Sequence, residues 1–235
     1  MSLGFSRDQG FFYISNVMAN PTIPGLPDLT IGNIYCIGRN YVKHAHELRN
    51  DLPEKPLVFL KPAGTIIFDG DTVQLPQQSS NVHHEVEFIV AIGKTGKNIP
   101  KTKALDHVAG YGVGVDVTAR DIQDEAKEKS YPWTVAKGFD TFAPISSFVR
   151  WNKINDPQEV DLKITVNGIT RQAENTRLMI FPVAELIHYL STIFTLQPGD
   201  LIFTGTPKGV SPLKSGDKIK ASINDDQASL SVTVK

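Results

Sequence analysis

Cysteine occurs once in this chain, as Cys36 in the apolar run "IYCIG", so no internal disulfide can form, which suits a reducing compartment. No apolar run approaches the length needed to span a bilayer, and the opening "MSLGFSRDQGFF" lacks the basic-then-apolar order of a secretory signal. Neither sign of charge is in excess. The 24 Lys and Arg stand against 25 Asp and Glu, a formal net charge of −1, which gives no global electrostatic case for nucleic acid or an anionic membrane. Internal repeats, low-complexity tracts and a mid-chain linker are also missing. These absences lead us to expect a soluble, cytoplasmic protein with neither a nucleic-acid nor a membrane partner. What is present is ordinary for a globular chain: 40% hydrophobic and 21% charged over 235 residues, a length that fits one large domain or two small ones and allows a sizeable core.

The first thirty residues, ending in the proline-rich "NPTIPGLPDLT", read as an N-terminal extension, with the main domain over 31–235. "NIYCIGRNY" reads as a short strand entering a glycine turn. "YVKHAHELRN" has helix-forming residues and is stopped by the prolines of "DLPEKP". Strands are expected at "PLVFLKP", "DTVQLP", "EVEFIVAIG" and "GYGVGVDVT". In "TARDIQDEAKEK", Thr118 stands three residues before Asp121, a capping-box variant that would start a helix there. "LKITVNGITRQA" reads as a hairpin turning at Asn167-Gly168, and "DKIKASINDDQASLSVTVK" as a second hairpin. Val183, Leu186, Ile187, Leu190, Ile193 and Phe194 follow helical spacing behind Pro182. The chain is strand-rich with a few short helices, without the strand–helix alternation of a doubly wound sheet.

The stretch "SNVHHEVEFIVAIG" carries the first chemical signal. Val86, Phe88 and Val90 alternate on one face of a strand, so Glu85 and Glu87 point off the other. Two like charges side by side make each other harder to ionise. Either that face is solvated or something positive sits between the carboxylates. Asp116 ends a second glycine-rich apolar strand that could lie alongside, just before a helix. Three carboxylates are hard oxygen ligands, suited to Mg²⁺, Mn²⁺ or Ca²⁺, and would leave coordination positions open for substrate. His83 shares the parity of the two glutamates and is a rival ligand for zinc or iron, while His84 faces the other way and reads as a satisfied core histidine.

Beside this cluster, His44 and Glu47 are three apart on one helical face, so the carboxylate could orient the imidazole as a base, or the two could be a plain surface pair. His46 is turned about 100° away. Lys137 in "TVAKGFD" is bracketed by small and apolar residues. It is either a lysine snorkelling from a strand end or a cation aimed at a developing oxyanion. "FTGTPKGV" lacks the spacing of a phosphate loop, which excludes nucleotide binding. It is either a simple tight turn or a source of N–H groups and the Thr206 hydroxyl for a carboxylate.

Taken together, "GRNYVKHAHE", "FLKP", "HHEVE", "VDVTARDIQDEAK", "PWTVAKGFD", "VNGITRQ" and "GDLIFTGTPKGV" resemble the fumarylacetoacetate hydrolase family, in family order over residues 33–216. The likeness is to the small single-domain branch of acylpyruvases and oxaloacetate decarboxylases or tautomerases. It implies a β-rich α+β fold, the mixed β-sandwich roll of the family's C-terminal domain with a few short helices. It also implies a homodimer and a small 2-oxo acid as substrate. At matched positions it implies Mg²⁺ or Mn²⁺ at Glu85, Glu87 and Asp116 (with Ca²⁺ able to take the site in a crystal), a His44–Glu47 dyad on a lid, Lys137 as the active-site lysine, and Arg120, Gln123 and Thr206 beside the substrate. The implied activity is divalent-metal-dependent hydrolysis of the C–C bond of acylpyruvates, of fumarylpyruvate or acetylpyruvate type, through a metal-stabilised enolate. Its rivals are oxaloacetate decarboxylation or keto–enol tautomerisation and a 2-hydroxyhepta-2,4-diene-1,7-dioate isomerase reaction. The non-enzymatic rival is a metal- or metabolite-binding protein, which would need no base.

Overall fold

The computed structural model of the chain describes residues 20–47 and 51–235. In chain order its first elements are β1 (Thr22–Ile23), β2 (Leu26–Thr30), β3 (Ile34–Gly38), α1 (Val42–Glu47), β4 (Leu57–Lys61), β5 (Ile66–Ile67), β6 (Thr72–Val73), β7 (Val82–His84), β8 (Val86–Ile92) and β9 (Val108–Val115). They are followed by β10 (Thr118–Ala119), α2 (Arg120–Glu128), α3 (Thr134–Lys137), β11 (Ala143–Pro144), β12 (Val149–Arg150), β13 (Asp161–Val166) and β14 (Ile169–Asn175). The chain closes with α4 (Val183–Ile193), β15 (Leu201–Phe203), β16 (Ser211–Pro212), β17 (Lys218–Ile223) and β18 (Ala228–Val234).

Two larger sheets carry the architecture. A mixed six-stranded sheet has the order β12-β9-β8-β15-β3-β4, with β3 and β15 parallel. A five-stranded sheet has the order β14-β13-β17-β18-β6. The main apolar cluster lies between them and takes in Phe88, Val90, Val113 and Val115 from the first sheet. Leu162, Ile164, Ile219 and Leu230 come from the second, and Leu186, Ile187 and Leu190 from α4. The strands of the second sheet alternate buried and exposed residues, as a sheet with one wet face should. By contrast, β8 is buried along its whole length. Its other face, carrying Ile89 and Ala91, joins a second cluster with Ile23, Leu26, Ile145 and Phe203. The side of β8 on which the glutamates stand is therefore interior.

The observed elements follow the expected ones closely, with local differences. The Asn167-Gly168 hairpin and the C-terminal hairpin form as read. "DTVQLP" supplies only the two residues of β6. Residues 22–30, within the expected N-terminal extension, form the β1–β2 hairpin, and Ile23 and Leu26 pack into the second cluster; residues 1–19 lie outside the described chain. The end of the helix in "YVKHAHELRN" also lies outside the described residues. Thr118 does not cap a helix. It belongs to β10, and α2 begins at Arg120 with no side-chain cap, because the Thr118 hydroxyl is already bonded to Asp116 and Lys137. Ile193 is half-exposed at the end of α4 rather than buried with its helical partners. In "GRNY" the residue in the left-handed region is Arg39 (φ 59°), not the glycine before it.

Candidate metal centre

Glu85 and Glu87 flank Val86 at the start of β8, and Asp116 directly follows β9, the neighbouring strand. Register brings them together. Val86 lies opposite Val115 and Glu87 opposite Gly114, and the Asp116 N–H donates to the Glu85 carbonyl at 2.8 Å. One oxygen from each carboxylate lies within 4.8 Å of the others, and all three residues are buried. Glu85, Glu87 and Asp116 could each offer one oxygen to a divalent cation, which favours such hard ligands.

The electrostatics of the three are unequal. Glu85 accepts from Arg120 Nη2 and, at 2.9 Å, from Lys137 Nζ. Burial works against its charge, but those two cations hold its carboxyl well below the ordinary carboxylate range. Asp116 Oδ2 accepts from Lys137 Nζ at 2.5 Å. Its Oδ1 has Lys61 Nζ at 2.8 Å, yet the three lysine hydrogens go to the carbonyls of Val117 (3.0 Å), Lys137 (2.6 Å) and Phe142 (2.9 Å). That oxygen is buried with attraction but no hydrogen bond. Glu87 is the uncompensated member. It accepts from the Gly205 N–H at 2.7 Å, while burial and then the charges of Asp116 and Glu85 push its carboxyl well up. A donor-poor oxygen beside a carboxylate starved of positive charge is the environment a divalent cation relieves, and the all-oxygen set suits Mg²⁺ or Mn²⁺. These residues fit such an ion.

Lys137 ends α3 and is 2% exposed, so it does not snorkel, and it lies on a helix rather than at a strand end. Its ammonium bonds Glu85, Asp116 and the Thr118 hydroxyl (2.7 Å), with the Phe59 ring 4.9 Å away. Burial disfavours its charge, but Asp116 and Glu85 outweigh that and raise its pKa. Arg120 Nη1 donates to Gln123 Oε1 at 2.5 Å, so both sit against the carboxylates on the first turns of α2.

A cavity opens over the cluster, lined among others by His44, Glu85, Glu87, Asp116, Arg120, Gln123, Lys137 and Thr206. Eight of the nine sequence-derived candidates therefore line one pocket, and the ninth, Glu47, stands behind His44. Its Oε2 is 3.4 Å from His44 Nδ1, and both its oxygens accept from the Gly209 N–H, at 3.0 and 3.1 Å. Burial alone would raise the Glu47 carboxyl, but the bonds from His44 and Gly209 turn the shift downward. With Nδ1–H directed at Glu47, the other ring nitrogen of His44 is left as the acceptor. His83 stays out of the cluster. It is half-buried, bonded to Asn81 at 2.9 Å, and its pKa is pushed down to about 4 by burial and then by Arg120. His84 is a satisfied core residue between Gln172 and Ser211.

Several contributors lie inside the family-like segments without a residue pattern that singles them out. Lys61, in "FLKP", closes an apolar strand, and its place there is the local oddity that marks it. Asn40 is fully buried and ties α1's approach to the 204–209 loop, donating to the Thr204 carbonyl at 2.8 Å. A side chain on Gly205 (φ 98°) would come within 2.7 Å of Asn40 Cβ, so only glycine fits between that loop and its support. Arg39, Phe59 and Trp133 also line the cavity.

The chain is similar to known proteins. The sequence profile described as fumarylacetoacetate (FAA) hydrolase C-terminal matches residues 33–235. The mitochondrial oxaloacetate decarboxylase of Dictyostelium discoideum is 49% identical over 81% of this chain and 88% of its own length. The mitochondrial oxaloacetate tautomerase of Mus musculus is 48% identical over 82% of this chain and 87% of its own. The crystal structure of fumarylpyruvate hydrolase from Pseudomonas aeruginosa, in complex with Mn²⁺ and pyruvate, superposes with a TM-score of 0.85 at 39% identity, covering 91% of this chain and 94% of that one.

Proposed function

This chain belongs to the fumarylacetoacetate hydrolase family, and on that premise we propose that it is a divalent-metal-dependent enzyme acting on small 2-oxo acids, hydrolysing the C–C bond of acylpyruvates. The observation that carries the reading is the pairing of a three-carboxylate cluster with a buried, carboxylate-oriented histidine over one cavity. A binding module needs no base, whereas a reaction that moves a proton does.

Glu85, Glu87 and Asp116 would hold Mg²⁺ or Mn²⁺, which supplies Lewis-acid polarisation of the 2-oxo acid's carboxylate and keto oxygens when bound. His44, its tautomer set by Glu47, removes a proton from a water that attacks the distal carbonyl of the acylpyruvate. Collapse of that adduct breaks the bond to the adjacent carbon, releasing a carboxylic acid, and the departing carbon's electron pair is held as the enolate of pyruvate. The proton on His44 then returns to that carbon. Lys137, fixed beneath the pocket, offsets the negative charge that develops, and Arg120, Gln123 and Thr206 orient the acid.

A second reading, oxaloacetate keto–enol tautomerisation or decarboxylation, is favoured by the 48–49% identity to enzymes so named. There His44 would move the proton at the carbon beside the keto group, or CO₂ would leave, with no attacking water. The same proposal includes a homodimer in solution. A panel of fumarylpyruvate, acetylpyruvate and the keto and enol forms of oxaloacetate, supplied with Mn²⁺, separates the readings. Acylpyruvate cleavage dominating supports the first, and oxaloacetate turnover alone replaces it with the second. Metal binding with no turnover of any member leaves only a binding protein.

A further inference from the structure

The "VNGITRQ" segment is far from the carboxylates in sequence and sits on the other sheet, yet it ends in a side chain that reaches the candidate site. Gln172 is 1% exposed on β14, a strand whose preceding residues are all exposed. Its amide is fully used. Oε1 accepts from the Val86 N–H at 3.1 Å and from His84 Nδ1 at 3.0 Å, while Nε2 donates to Thr206 Oγ1 at 2.8 Å and to the Pro207 carbonyl at 2.7 Å. Two donors and two acceptors saturate a carboxamide, and the Val86 N–H leaves no ambiguity about which end is oxygen. One side chain thus grips both the backbone between Glu85 and Glu87 and the loop that carries Thr206. The loop is pressed against this strand. A side chain on Gly209 (φ 101°) would stand 2.2 Å from the Arg171 carbonyl oxygen and 3.3 Å from Gln172 Cγ.

The direction of these bonds matters for the cavity. An N–H aimed at Thr206 Oγ1 occupies a lone pair of the hydroxyl, so the hydroxyl proton must point elsewhere. Thr206 lines the cavity, and among the described residues its hydroxyl has no protein acceptor. We propose that Gln172 is a positioning residue. Through the polarity of its amide it presents the Thr206 hydroxyl as a donor to an anionic oxygen of the substrate. This rests on the 2-oxo acid reading above, because it is the carboxylate of such an acid that the donor would meet.

The test measures calorimetric binding of oxalate, a dianion of the same chelating shape, to the Mn²⁺-loaded protein. Gln172→Glu keeps the size but, ionised, offers Thr206 only acceptors, so the hydroxyl turns its proton inward. Oxalate affinity should fall about 10- to 100-fold, with Mn²⁺ affinity within about twofold of the parent. Lowering the pH to protonate the new carboxyl should narrow the gap between variant and parent. Thr206→Val should lose a similar factor, and Gln172→Glu combined with Thr206→Val should lose little more than either alone. Additive losses, or a loss of Mn²⁺ affinity that accounts for the oxalate effect, would overturn the inference and leave Gln172 a structural residue. If Gln172→Glu fails to fold, Thr206→Val decides alone: unchanged oxalate binding rejects the donor role. Parent protein that binds Mn²⁺ but neither binds oxalate nor turns over any member of the panel removes the functional reading itself and this inference with it. Normal parent binding with additive variants removes the inference only.

Discussion

At the scale of the residue, the site is an exercise in unequal compensation. Three carboxylates share one interior corner, and the protein supplies cations to two of them. Asp116 and His44 are expected to separate cleanly on substitution. Asp116→Ala should abolish Mn²⁺ binding and turnover together, whereas His44→Ala should strongly impair acylpyruvate hydrolysis with Mn²⁺ affinity retained. Calorimetry on both variants checks this, and lost metal affinity in His44→Ala would refute the base assignment. Lys61 has a different role. It holds three backbone carbonyls and faces Asp116 from a fully buried position. Lys61→Met removes one partner of a buried ion pair, a change that costs about 3–5 kcal/mol. Urea denaturation should register a loss of that order, and a shift under about 1 kcal/mol would show that the pair contributes little.

At the scale of the element, the described part of α1 is the six residues Val42–Glu47, and a helical segment that short is not stable by itself. It is held where it lies by Tyr41 and Ala45 in the interior and by the Glu47 carboxylate on the Gly209 N–H. Because the folded-state pKa of Glu47 is lowered, its contribution is present above the ordinary carboxylate value and is lost as pH falls through the lowered one. Hydrogen exchange of the amides in 42–47 should therefore quicken between pH 6 and about pH 3, beyond its intrinsic pH dependence, on the order of a few-fold for a partly exposed contact. Glu47→Gln should show the faster exchange already at pH 6. Equal protection in parent and variant at both pH values would mean that the helix does not depend on this bond.

At the scale of the whole molecule, the cluster lies where β8 and β9 emerge from between two apolar layers, so an ion there would link elements across the fold. Mn²⁺ at about 100 times its dissociation constant should stabilise the native state by about 2.7 kcal/mol, a rise in Tm on the order of 5–10 °C for a chain of this size. The rise should vanish in Asp116→Ala; a parent protein indifferent to Mn²⁺ would refute the metal site. No helix among the described residues is long and apolar enough to cross a membrane. Much of this was legible in the chain itself. Strand parity placed Glu85 and Glu87 on one side, helical spacing placed His44 beside Glu47, and the Asn167-Gly168 pair marked a hairpin, because each of these depends on near neighbours and a fixed backbone repeat. Thr118 misled for the same reason: its capping pattern is local, but its hydroxyl is taken by Lys137, nineteen residues away. What only the tertiary structure decided was whether the glutamates' face was wet. The packing of a second apolar layer against β8 turned it inward. That layer, the Lys61–Asp116 contact and the reach of Gln172 to Thr206 all join segments distant in sequence, and no spacing along a chain encodes which distant segments will meet.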